Sequence, residues 1–191
     1  MKKSYDFIVV GAGSAGCVIA TMLIEQTDAS VLLIEAGPID KTIHAKIPAS
    51  MPYMMANHVW AYQTEPEPHL NQRRMEVPQG KIVGGSSSVN GMAYVRGIPD
   101  DYDDWANKYG CEGVLKDFIA SENNESLSGS FHGQNGHQHV SENRFRHPLS
   151  HTFIRAGQEL GYDYTNDFNG ENKNGVVGFF QTTTHKGYRA S

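Results

Sequence analysis

The chain has 191 residues, enough for one domain or one and a fraction, and its 39% hydrophobic and 19% charged residues, with 20 glycines in no collagen-like period, exclude disorder and fibre. Sixteen basic against 21 acidic residues leave a net charge of −5 with histidine neutral, and no cluster of Lys or Arg forms a phosphate-neutralising face, so nucleic acid is not an expected partner.

Lys2 and Lys3 precede an apolar run that resembles the start of a signal peptide, but Asp6 and the glycines that follow interrupt it. No window approaches the ~18 apolar residues of a transmembrane helix. Residues 5–10, YDFIVV, carry the β-branched and aromatic content of a short buried strand in a parallel sheet covered on both faces. The glycine turn GAGSAG follows. Residues 14–26 then place Val18, Met22 and Glu25 at helical spacing, closed by Thr27 and Asp28. VLLIE at 31–35 reads as a second strand, so the first 35 residues form a βαβ unit with parallel strands and a right-handed crossover.

Beyond Ala36-Gly37-Pro38 the periodicity dissolves, and residues 47–55 read as an irregular, partly buried excursion in which Met51, Met54 and Met55 are apolar filler. Trp60 and Tyr62 follow. Residues 80–97, GKIVGGSSSVNGMAYVRG, are the densest small-residue segment in the chain. Residues 100–109 predict a short acidic helix carrying Trp105, with Asp100 to Asp104 as a solvated helix start. Ser, Asn and Gly mark 121–136 as a surface loop or subdomain boundary, and 147–161 regains helical spacing through Phe153, Ala156 and Leu160. The chain stops at Ser191 without a cap or closing strand, as a truncated domain would. Cys17 lies in the first helix and Cys111 far away in a polar stretch, which predicts free thiols and a reducing compartment.

Gly11, Gly13 and Gly16 spell G-x-G-x-x-G between a strand and a helix, the context the dinucleotide fingerprint requires. The first glycine permits the tight turn, the second lets backbone approach a pyrophosphate, and the third lets the helix pack on the strand. Ser14, Ala15 and Gly16 supply amides at the positive end of the helix dipole. Glu35, with Ala36 beside it, can accept from a ribose hydroxyl and would repel a 2′-phosphate. These residues do not separate NAD from FAD.

The segment at 80–97 followed by DYDDW resembles the first signature of the glucose-methanol-choline (GMC) oxidoreductases, with Gly80-Lys81, Val83, Gly84-Gly85, the serines at 86–88, Asn90, Tyr94 and Gly97 each in a matching position. DFIVVGAGSAGCV, LLIEAGP, WAYQTEPEPHLNQRR, SENNE and the HG-x-x-G loop are also similar to that family, closest to its choline and alcohol dehydrogenase branch. The resemblance implies an α/β, Rossmann-like FAD-binding domain with an incomplete substrate domain, divided as residues 1–135 and 136–191. It implies FAD as cofactor and a small-molecule alcohol, choline-like or aliphatic, as substrate, with the electron acceptor left open. Val83, Gly85, Asn90, Gly91, Met92 and Ala93 are then expected flavin neighbours, and Trp60 an expected contact at the adenine end. Some members link the flavin covalently through a His just before the Asn. Val89 stands there, so noncovalent FAD is expected.

The family's working histidine lies near the end of a much longer chain, so no catalytic residue is assigned among the nine histidines here. This chain alone is expected not to turn over alcohol, and the expected partners are a C-terminal half or a second copy. The competing expectation is a catalytically silent flavin-binding fragment or a half that requires a partner chain. His132, His137 and His139 lie in a glycine loop without helical spacing, which predicts a solvated loop and no metal. The family's Trp-aromatic turn is missing between Cys111 and Val114. The expected location is the cytoplasm, with a peripheral position at the inner face of a membrane as the alternative.

Overall fold

A β-branched run, a turn that only glycine can make and an apolar helix lead the chain into a crossover. In the computed structural model, which describes residues 4–39, 41–109, 113–171 and 174–190, strand β1 (Phe7–Val10), helix α1 (Ser14–Gln26) and strand β2 (Val31–Ile34) form that unit. β1 and β2 pair in parallel, with Phe7 opposite Val31 and Val10 opposite Ile34. The chain divides into two compact units, Met1–Gly91 and Met92–Ala190.

The first unit departs from expectation in two places. β1 is not buried on both faces: Phe7, Ile8 and Val10 are exposed, Val10 by 81%. The sheet has two strands, and α1 packs against both of them. In α1 the buried residue is Ala20, while Val18 and Met22 face outward.

The expected irregular excursion is instead helical. Pro48–Ser50 forms a 3₁₀ turn that leads into helix α2 (Met51–Asn57), where Pro52 sits at the helix start and loses no intrahelical donor. Met54 has no exposed surface and forms the core of this unit with Ile82 and Val89. Its unbranched, flexible side chain suits that irregular contact. Strand β3 (Val59–Gln63) pairs antiparallel with strand β4 (Glu76–Gly80), Trp60 opposite Gln79. Gly85–Ser88 makes a 3₁₀ turn.

In the second unit, strand β5 (Ala93–Tyr94) opens the chain, and helix α3 (Pro99–Tyr109) begins with Asp100 and Asp101 in its first turn. Helix α4 (Val114–Ser121) follows Gly113, which has φ +74°. Cys111, the neighbouring turn without its Trp, the lysines at 2 and 3 and the terminal Ser191 lie outside the described residues. Tyr102 packs edge-on against Trp105 and Phe118.

The expected loop at 121–136 contains strand β6 (Glu122–Asn124), which pairs in parallel with strand β7 (Gln138–Val140). Hydrophobic alternation could not reveal β6, because its inward side chains are Glu122 and Asn124. β6 and β7 lie on either side of residues 135/136, and contacts group the chain into units that meet after Gly91. Helix α5 (Pro148–Glu159) is capped by His147, whose Nδ1 accepts from the Leu149 N–H at 3.1 Å. Ile154 is its buried residue, while Phe153 and Leu160 point to solvent. Strands β8 (Asp163–Thr165) and β9 (Val176–Gly178) pair in parallel, and strand β10 (Gln181–Thr182) pairs with β5. A final hairpin, β11 (Thr184–His185) and β12 (Tyr188–Arg189), ends the described chain.

Met54→Ala should lower unfolding free energy by about 2–5 kcal/mol through the cavity it leaves. Phe153→Ala, at a side chain 73% exposed, should change it by no more than about 0.5 kcal/mol. Denaturant titration of the two variants checks both, and a Met54 variant as stable as the parent would contradict this core.

Candidate cofactor-binding site

The fingerprint glycines are glycine for three different reasons. Gly11 has φ +97°, a conformation that side chains rarely adopt, although a Cβ there would touch nothing. Gly16 has an ordinary backbone, but a Cβ on it would collide with the carbonyl oxygen of Gly11. Gly13 has neither reason: its φ is −79°, and a Cβ would meet Gly85 Cα at an ordinary 3.9 Å. Nothing among the described residues requires glycine at 13, which leaves room beside this backbone for the close approach of an external group.

That approach would come where α1 begins. Gly13 is its N-cap and no side chain caps the helix, while Ser14 and Ala15 are exposed. The first amides of a helix have no intrahelical acceptor, and the dipole makes their surroundings positive. Glu35 follows β2 directly, and its carboxylate accepts from the Ala12 N–H and the Gly37 N–H, each at 2.8 Å. Two bonds leave capacity in a carboxylate that offers about four lone-pair sites. Ala36 beside it is exposed.

The second glycine segment packs backbone to backbone against the first. The Gly84 N–H donates to the Ala12 carbonyl at 2.7 Å, and Gly13 and Gly84 form a parallel bridge. Gly85 has φ +58°, and a Cβ on it would come within 2.7 Å of Gly13 Cα. Gly37 lies against the Lys81 backbone and Gly80 against the Gly85 backbone with no room for a Cβ at either. Ser88 Oγ donates to the Val83 carbonyl at 3.0 Å and Ser87 Oγ to the Gly84 carbonyl. The run of serines therefore ties its own turn.

The structure brings Gly11, Gly13, Ser14, Ala15, Gly16, Glu35, Ala36, Val83 and Gly85 onto the touching segments of the first unit. Val83 and Asn90 are exposed, Gly91 is exposed, and Gly85 is buried against Gly13. Met92 and Ala93 belong to the second unit, where Met92 is buried with φ +62° and Ala93 is exposed in β5. Trp60 is part-exposed on β3, stacked beside Tyr62, with the Lys81 ammonium 3.9 Å from its ring centroid. That cation occupies one face of the ring.

Two features of the second unit escaped the sequence. His132 is not solvated: it is 7% exposed, with Nδ1 3.1 Å from Glu122 and Nε2 2.9 Å from Asp167. Its neighbours lie 10 and 35 residues away, so no local spacing marks it. His137 is exposed, and His139 stacks on His185 at 4.1 Å. Among the described residues no group of three or more His, Cys, Asp or Glu is arranged to hold a metal. The second feature is a cavity of about 370 Å³ lined by Arg96, Tyr102, Val114, Phe118 and Phe131. No described helix is long and apolar enough to cross a membrane, and Cys17 is a free thiol.

The sequence profile of the GMC oxidoreductases matches residues 5–191. The oxygen-dependent choline dehydrogenase of Paraburkholderia phymatum is 42% identical over 99% of this chain, and that of Ectopseudomonas mendocina 41% identical over all of it. The chain spans 35–36% of those relatives. Among solved structures, pyridoxine 4-oxidase from Mesorbium loti superposes with a TM-score of 0.89 at 30% identity, covering 97% of this chain and 38% of the oxidase. An FAD-dependent oxidoreductase from Chaetomium thermophilum gives 0.86 at 27% identity, covering 98% and 35%.

The sorting of the glycines predicts opposite outcomes for one added methyl group. In the protein without ligand, Gly13→Ala should cost no more than about 1 kcal/mol, the ordinary penalty at an N-cap. Gly16→Ala should cost about 1–3 kcal/mol through overpacking against Gly11. Thermal unfolding of the two variants measures the difference, and equal losses would contradict the assignment.

Proposed function

The chain belongs to the GMC oxidoreductase family, and from that premise we propose that it is the part of an alcohol-oxidising flavoenzyme that binds FAD, with the α/β, Rossmann-like fold of its relatives. The observation that carries the proposal is Gly13, an ordinary backbone position with room for a side chain, kept bare where α1 presents its uncapped amides. A pyrophosphate accounts for both facts.

In this reading the amides of Ser14, Ala15 and Gly16 donate to the pyrophosphate. Glu35, held by Ala12 and Gly37, orients its remaining lone pairs for a ribose hydroxyl. Trp60, braced by Lys81 and Tyr62, serves the adenine end. Val83, Asn90, Gly91, Met92 and Ala93 are proposed to line the flavin. Bound FAD supplies the acceptor for the hydride of a CH–OH donor. The substrate is proposed to be a small alcohol, choline being the one named by the relatives. The division into a cofactor part at 1–135 and the start of a substrate part at 136–191 is retained as a proposal.

Noncovalent attachment is supported by the surroundings of Val89. Its side chain is 3% exposed and packs with Met54 and Ile82, so the position that precedes Asn90 is committed to the core. The described residues place no histidine on the glycine segments, and a positioned base contributes typically ~10²–10⁴-fold to such reactions. The proton-accepting role is therefore proposed to come from the rest of the enzyme or from a partner chain.

Gly13→Val should abolish flavin binding while leaving a folded protein, as read by flavin absorbance and circular dichroism of parent and variant. Stoichiometric flavin retained by the folded variant would overturn the site. Acid precipitation of the flavin-loaded protein should leave the yellow colour in the supernatant, and colour in the pellet would show a covalent bond.

A further inference from the structure

A buried set of ionisable side chains in the second unit has no part in cofactor binding as proposed. Glu122 is fully buried, and its carboxylate receives four donors. Oε1 faces the Asn124 amide at 2.9 Å and His132 Nδ1 at 3.1 Å; Oε2 accepts from the Arg96 guanidinium and from the Gly133 N–H, each at 2.9 Å. A carboxylate has about four lone-pair sites. Glu122 is thus saturated as an anion.

His132 Nε2 lies 2.9 Å from Asp167 Oδ2, and Asp167 Oδ1 accepts from the Asn169 N–H at 2.8 Å. Asn169 closes the circle. Its Oδ1 accepts from the Arg96 N–H at 2.7 Å and its amide donates to the Tyr94 carbonyl at 2.9 Å. Arg96 also reaches the Phe131 carbonyl at 2.7 Å and the Tyr94 hydroxyl at 3.4 Å. Burial pushes the Tyr94 phenol up, so that group adds no charge.

Both ring nitrogens of His132 therefore face carboxylate oxygens. A neutral imidazole has one donor and one acceptor nitrogen, and would aim a lone pair at one of the carboxylates. Charge balance points the same way: Arg96 pairs with the fully buried Glu122, and among the described contacts His132 is the group that faces the part-buried Asp167. Without a proton on His132 the two carboxylates would share one cation where water is largely excluded, which is costly.

We propose that His132 is a cationic clamp, carrying both ring protons and cross-linking Glu122 to Asp167 so that residues 94–97, β6 and the turn at 167–169 are held in one neutral circuit. The clamp lies wholly within the second unit and stands or falls independently of the flavin reading.

Two measurements on the 191-residue chain test it. The first is the ¹⁵N spectrum of the histidine rings at neutral pH, with His132 assigned by the signals lost in His132→Gln. Two protonated nitrogens are expected, and one unprotonated nitrogen would overturn the proposal. The second is a thermal double-mutant cycle. His132→Gln should lower the unfolding midpoint by about 10 °C, the scale for breaking a buried ion pair in a chain of this size. Asp167→Asn should lower the midpoint of the parent, and in the His132→Gln chain that loss should vanish or reverse. A parent stabilised by Asp167→Asn, or the same loss in both backgrounds, would overturn the clamp. Should the variants fail to fold, sequential through-bond assignment identifies the His132 ring in the parent, and its spectrum decides.

Discussion

Two stretches of backbone touch in the first unit because neither carries side chains at the point of contact. Gly13 meets Gly85, Gly80 meets Gly85 and Gly37 meets the backbone of Lys81, all within distances that leave no room for a Cβ on the second partner of the first pair or on the leading glycine of the others. Hydrogen bonds from the Gly84 N–H to the Ala12 carbonyl and from the Val83 N–H to the Pro38 carbonyl hold the segments in register. Everything proposed for the cofactor rides on this contact. It sets the start of α1 against the second glycine segment and frames the carboxylate of Glu35 with amides from both sides of the turn.

The second unit is held by a different principle. Its buried hydrophobics are few, Met92, Val140 and Ile154, whereas Arg96, Glu122, Asn124, His132, Asn169 and Gln181 are buried polar groups. Such networks specify one geometry because each member must find its partner. Asn124 illustrates this: its amide reaches Glu122 and Gln181, and its carbonyl oxygen accepts from Ser126, Leu127 and Gln181. A polar core of this kind defines the fold through direction, where the Met54 cluster of the first unit defines it through volume.

That contrast explains what could be read from the sequence. The βαβ start was legible because a strand, a glycine turn and a helix impose different periodicities in succession, and α1 begins and ends at the predicted residues. The fingerprint and the 80–97 segment were legible because small residues at fixed spacing are rare enough to be noticed. α2 was missed because Pro48 and Pro52 suggested a break, although a proline at a helix start removes no bond. β6 and the burial of His132 were missed because the pattern that folds them is polar and long-range. The exposure of β1 was also hidden, since a strand's own residues announce that it wants cover and say nothing of whether a neighbour is present.

The central claim is that the bare backbone at Gly13 and the uncapped start of α1 form a pyrophosphate cradle. Equilibrium titration of the protein with FAD and with an FAD analogue whose pyrophosphate is replaced by an uncharged linker of the same length, sharing the flavin, ribose and adenine, tests it directly. The cradle predicts that FAD binds tighter by at least about a hundredfold, the yield of a few charge-assisted hydrogen bonds. Equal affinities for the two flavins would contradict it.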